Sequence, residues 1–88
     1  MRIMIIWDEE KNTKLKLERN ISFYEIVELI LNEDVIDIIH HPKRGNQNIF
    51  VLKINNYIHA VPFVIDDDEN IILKTAFPSK KLNRKYKG

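Results

Sequence analysis

Four cations near the C-terminus are spaced as a helix would present them: Lys80 with Arg84 and Lys81 with Lys85, each pair four residues apart. Leu82 and Tyr86 share that spacing and supply an apolar strip by which such a helix can dock, leaving the cations outward. Like charges at this spacing cost a helix a little stability, and the backbone of a polyanion offsets that cost. A short basic C-terminus can equally be a solvated tail. Tyr86 fits the docking strip better than a catalytic role, although its ring could stack and its hydroxyl could pass a proton. Towards the other end, Lys11 stands near the start of the first helical segment. A cation there opposes the helix macrodipole unless an anion also binds, so its position hints at a phosphate. His59 sits mid-strand on an aromatic-rich face, where a hydrogen-bonded core histidine is the commoner arrangement and acid–base chemistry the alternative.

Other chemistries lack their residues. His40-His41 is a pair in a loop with no third ligand at metal-site spacing, and Asp66-Asp67-Asp68-Glu69 lacks the pattern of a calcium loop, so no metal is expected. No Gly-rich phosphate loop, nucleophile elbow or paired-carboxylate motif occurs, and no cofactor is expected. The chain has no Cys, which excludes disulfides and thiolate zinc sites and makes a reducing cytoplasm its natural setting. The apolar opening from Ile3 to Trp7 is too short for a signal-peptide core or a membrane span, so no membrane partner is expected.

Net charge is only +1, but it is unevenly spread. Residues 1–39 carry five Lys/Arg against nine Asp/Glu, a net of −4, while from Asn70 onward six basic residues stand unopposed. A polyanion could bind there.

The elements that must position these residues follow from local patterns. With 88 residues, 44% hydrophobic and 31% charged, the chain fits one globular domain with one core. The β-branched run ending at Trp7 predicts a strand, and Asp8 can cap a helix over Glu9 to Glu18 that ends near Arg19-Asn20, with Asn20 as a left-handed C-cap. Ser22 and Glu25 form a capping box for a second helix, whose Phe23, Ile26, Val27, Ile30 and Leu31 make a core stripe. Asp34 to Ile39 is ambiguous and leans towards strand, followed by a loop over residues 40–47. Asn48 to Ile54 and Tyr57 to Ile65 predict a hairpin about Asn55-Asn56, residues that tolerate the positive φ of a two-residue turn. A four-residue turn at 66–69 then leads to a last strand over Asn70 to Phe77, and Pro78 opens the terminal helix. The order is β-α-α-β-β-β-α, an α+β fold with a mainly antiparallel sheet. Pairing Ile54 with Tyr57 puts Phe50, Leu52, Ile54, Tyr57, His59, Val61 and Phe63 on one face. The four-residue turn adds Ile72, Lys74 and Ala76 to that face and Ile71, Leu73 and Thr75 to the other. Both faces are largely apolar, so the second must be covered by the remaining helices or by another protein.

Trp7-Asp8-Glu9-Glu10-Lys11-Asn12, Ile21-Ser22-Phe23 and the stretch from Pro78 to Tyr86, taken in order, resemble toxins of the BrnT family. The resemblance spans nearly the whole chain. It implies a RelE-like fold, metal-independent RNA cleavage that arrests translation, and inhibition by a cognate antitoxin, often one with a ribbon-helix-helix DNA-binding domain. Where many relatives carry His-Gly after the first helix this chain has Arg19-Asn20, so a general base at that position does not carry over and Arg19 would bind phosphate instead. The basic family segment falls on Pro78 to Asn83, with Lys80 at its arginine position and without the bidentate guanidinium fork.

Metal-free RNA cleavage needs a base, cations on the phosphate and an acid. On this reading Lys11, Lys80 and Arg84 hold the scissile phosphate, His59 or Tyr86 serves as acid or base, and Arg19, Lys81 and Lys85 bind RNA. The antitoxin would cover the Lys80–Lys87 surface together with an unused sheet face. The alternatives are a non-catalytic nucleic-acid-binding module and an inactive relative acting through protein interaction.

Overall fold

The computed structural model describes residues 4–86. In chain order they form β1 (Ile5–Ile6), α1 (Glu9–Arg19), α2 (Phe23–Leu31), β2 (Asp37–His40), β3 (Asn48–Ile54), β4 (Tyr57–Ile65), β5 (Ile71–Leu73), β6 (Phe77–Pro78) and α3 (Lys80–Tyr86). Lys87 of the expected basic surface lies outside the described residues. The architecture is α+β: a six-stranded, mostly antiparallel sheet in the order β1-β5-β4-β3-β2, with β6 also on β4 and only the β1–β5 pair parallel.

The first helix ends form as their residue types require. Asp8 caps α1 by accepting the Glu10 N–H, and Asn20 closes it in the left-handed conformation at φ 56°, its N–H donated to Lys16 O. Ser22 Oγ accepts the Glu25 N–H at the start of α2. A second orphan donor there, the Phe23 N–H, goes to Asn12 Oδ1 at 2.8 Å. Asn12 is 1% exposed and thus ties the middle of α1 to the first residue of α2. Replacing it with Leu leaves that buried N–H without a partner, which costs about 1–3 kcal/mol. The urea midpoint of N12L should fall accordingly, with an unchanged m-value.

The hairpin has the expected register, Ile54 opposite Tyr57 and Phe50 opposite Val61, with Asn55 and Asn56 at φ 52° and 65°. Phe50, Leu52, Ile54, Val61 and Phe63 pack with Phe23 and Ile26 of α2 and with Leu15 of α1 as the main core. The ambiguous segment is strand β2, paired with β3 from Asp37 opposite Val51 to His40 opposite Asn48, which adds a strand to the expected order.

Two expectations fail at the end of the sheet. The turn after β4 takes five residues, because Asp66 accepts the N–H groups of both Asp68 and Asn70 and so draws Asn70 into the turn. Ile71 therefore lies opposite Ile65 and Leu73 opposite Phe63, which puts both on the core face, the reverse of the expected alternation. Nor is the last strand continuous. Leu73 pairs with Phe63 and Phe77 with Ala60, so Lys74, Thr75 and Ala76 stand opposite only Val61 and Pro62. That is a bulge of one extra residue. It forms where β4 presents Pro62, which has no N–H to give the ladder; the Pro62 carbonyl still accepts the Lys74 N–H at 2.9 Å.

Pro78 is consequently in β6 and not the first residue of a helix. Ser79 starts α3 instead, its Oγ accepting the Leu82 N–H. Helix α3 packs on β4 and supplies the cover for the second sheet face, on which Val51, Ile58 and Ala60 are all buried. Asn83 Oδ1 accepts the Ile58 N–H, and Tyr86 donates its hydroxyl to Asp37 Oδ2 at 2.6 Å, so the helix is tied at both its middle and its end. That face is therefore covered over β4 by the chain's own terminal helix.

The Tyr86–Asp37 bond makes a testable contribution to stability. It holds the Asp37 carboxyl below its usual range, helped by the Ile38 N–H and the Lys85 charge, and it raises the Tyr86 phenol. A depressed carboxyl stabilises the fold above its unfolded pKa and loses that contribution as pH falls through the folded value; a raised phenol loses its contribution as pH rises through its own folded value. Y86F should accordingly be less stable than the parent at neutral pH. The difference should shrink in urea titrations performed below the ordinary carboxylate range and again above the ordinary phenol range.

Candidate nucleic-acid cleft

A concave cleft of about 630 Å³ opens where α1 passes the bulge between β5 and β6 and the loop leading into β3. Helix α1 contributes Lys11, Lys14, Leu15 and Glu18, residues at helical spacing on one face, and Arg19 at its end. The loop contributes His41, Arg44 and Gln47; the sheet contributes Pro62, Lys74, Thr75 and Phe77. Five Lys/Arg side chains thus meet one carboxylate, that of Glu18. Leu15 is buried in the core and anchors the face of α1 that carries the cations.

The local reasons for this convergence lie partly in the opening motif. Trp7 stands edge-on to Tyr24, with ring centroids 5.0 Å apart, and tilts against Phe23 at 6.0 Å, its indole N–H donating to Glu9. With Asp8 capping α1 and Asn12 holding α2, the motif fixes the orientation of α1 and hence the direction of Lys11 and Lys14. On the loop, His41 Nδ1 lies 3.1 Å from the N–H groups of both Lys43 and Arg44, so it accepts and the ring proton resides on Nε2. The same turn fixes Arg44 beside it.

Of the residues singled out by sequence, Lys11 and Arg19 line the cleft. Lys80, Lys81, Arg84, Lys85 and Tyr86 are on α3 and do not. Tyr86 is bonded to Asp37, and Lys85 lies over the Tyr86 ring at 5.4 Å. His59 is 5% exposed and its Nδ1 is 2.9 Å from Tyr57 O, the geometry of a core histidine. It does not line the cleft either. Lys14, Glu18, His41, Arg44 and Lys74 were missed. For Lys14 and Glu18 the signal was available, since both fall on the face of α1 that carries Lys11 and Leu15.

Among the described residues no group of His, Cys, Asp or Glu is placed to hold a metal ion, and no helix is long and apolar enough to cross a membrane. No family, curated protein or solved structure matches the chain.

Proposed function

We propose that the chain is an RNA-cleaving toxin of a toxin–antitoxin pair, with a RelE-like fold and with the α1–bulge cleft as its RNA site. The observation that carries this reading is the meeting of Lys11, Lys14, Arg19, Arg44 and Lys74 around one carboxylate. Crowding like charges destabilises a fold unless something anionic is bound, and a phosphodiester backbone supplies charges along a track. The likeness to BrnT toxins at Trp7 to Asn12 supplies the reaction.

The residues in the cleft can divide that reaction. The Glu18 carboxylate takes the proton of the 2′-hydroxyl, the 2′-oxygen bonds to the adjacent phosphorus, and the bond from phosphorus to the 5′-oxygen breaks. The leaving oxygen takes a proton from a lysine ammonium of the cleft. The guanidinium groups of Arg19 and Arg44 and the Nε2–H of His41 stabilise charge on the phosphoryl oxygens. The products are a 2′,3′-cyclic phosphate and a 5′-hydroxyl. A cognate antitoxin would inhibit by placing acidic side chains in the same cleft.

Incubation of the purified protein with a defined transcript in EDTA tests this reading. Fragments ending in 2′,3′-cyclic phosphate or 3′-phosphate are expected, and an intact transcript over a wide range of protein concentration overturns it. Salt-sensitive binding without cleavage would make the chain a nucleic-acid-binding module.

A further inference from the structure

Phe77 owes its position to the bulge. If Lys74 to Phe77 continued the ladder from Leu73 without the extra residue, Ala76 would lie opposite Ala60 and Phe77 opposite His59, on the core face. The extra residue opposite Val61 and Pro62 reverses the alternation. Ala76 turns inward and is fully buried in the main core, while Phe77 lies opposite Ala60, is 36% exposed and lines the cleft. A proline in β4 and one inserted residue thus bring Phe77 to the lining of the cleft that also holds the cations.

The combination matches what single-stranded nucleic acid requires. Cations track the phosphates, and an aromatic face accepts a base whose own face is not already stacked within a duplex. Lys74, three residues before Phe77, and Lys11 and Lys14 of α1 line the same cleft and can hold phosphates flanking that base. Resting on the function proposed above, we infer that Phe77 is a stacking platform for one unpaired base, and that the cleft therefore selects single-stranded over double-stranded RNA. Phosphate contacts position the strand and Phe77 supplies the preference.

The test compares the parent, F77L and F77W by titration with three probes: a single-stranded RNA oligonucleotide, its duplex, and inorganic polyphosphate. Leu keeps apolar bulk without a π face, and Trp keeps the π face. The parent should prefer the single strand to the duplex. F77L should lose on the order of ten- to a hundred-fold in single-strand affinity, with duplex and polyphosphate binding unchanged, and F77W should retain it. Equal single-strand affinity in F77L and the parent overturns the inference while leaving the cleft a polyanion site. So does an equal loss by F77L on all three probes, which would make Phe77 a residue that shapes the cleft. A parent that binds none of the probes overturns the proposed function as well.

Discussion

Neutralising Lys11, Arg44 and Lys74 to Gln should abolish RNA cleavage and nearly abolish RNA binding, whereas neutralising Lys80, Lys81, Arg84 and Lys85 should leave most of both. The three residues come from α1, the β2–β3 loop and the bulge, and they share one cleft. Each hydrogen bond to a charged group contributes about 1.5–3 kcal/mol, so each loss weakens binding on the order of tenfold or more. The dependence on salt provides a second readout. For single strands log K falls with log salt by about 0.7 for each phosphate neutralised, so the triple variant should have a slope smaller by roughly two. Lys11 and Arg44 are exposed and Lys74 is half-buried, and relief of like-charge crowding should leave the thermal midpoint equal to or above that of the parent. The α3 variant tests the rival placement directly: if it loses cleavage and salt slope while the triple variant keeps them, the RNA site is the terminal helix and not the cleft.

That contrast shows how far linear order could lead. The charge count by segments pointed to the C-terminal cations because they are contiguous, whereas three of the five cleft cations belong to residues 1–39, whose net charge is −4. Their acidic neighbours Glu9 and Glu10 occupy the first turn of α1, where they favour the helix dipole, and neither lines the cleft. Only helical periodicity separates the two sets. It was legible in Lys11, Lys14, Leu15 and Glu18, but Arg44 and Lys74 reach the cleft through tertiary structure alone.

Local chemistry made much of the fold readable. Asp8, Asn20 and Ser22 act at helix ends as their side chains allow, and Asn55-Asn56 fixes the hairpin register that assigns five core residues to one face. The sequence pattern failed where one residue decides a phase. Asp66 captures Asn70 and lengthens a turn; Pro62 withholds an N–H and admits a bulge. Each event reverses which side chains face the core, since strand alternation has a period of two. The two reversals together leave Leu73 and Ala76 inside and Phe77 in the cleft. Neither Asp66 nor Pro62 announces this in isolation, because both also occur in regular turns and edge strands.

Replacing Glu18 with Gln separates binding from chemistry in the same cleft. The carboxylate is the sole negative charge among the lining residues and also lies among groups that would hold the RNA backbone. As a contribution to binding alone it is unfavourable, since it repels each phosphate that the surrounding cations attract. The amide removes that repulsion, keeps the side-chain volume and cannot take the 2′-hydroxyl proton. E18Q should therefore bind single-stranded RNA as tightly as the parent or more tightly, while the rate constant for cleavage under single-turnover conditions falls by about 10²–10⁴, the usual contribution of a positioned general base. The opposite signs of the two effects make the result specific. A merely structural Glu18 would weaken binding and cleavage together, and a variant that cleaves at the parental rate would require the proton to leave by another group. Restoring the carboxylate one methylene shorter, as E18D, should recover part of the lost rate and return the affinity to near the parental value, because charge returns in full but the distance to the 2′-oxygen does not.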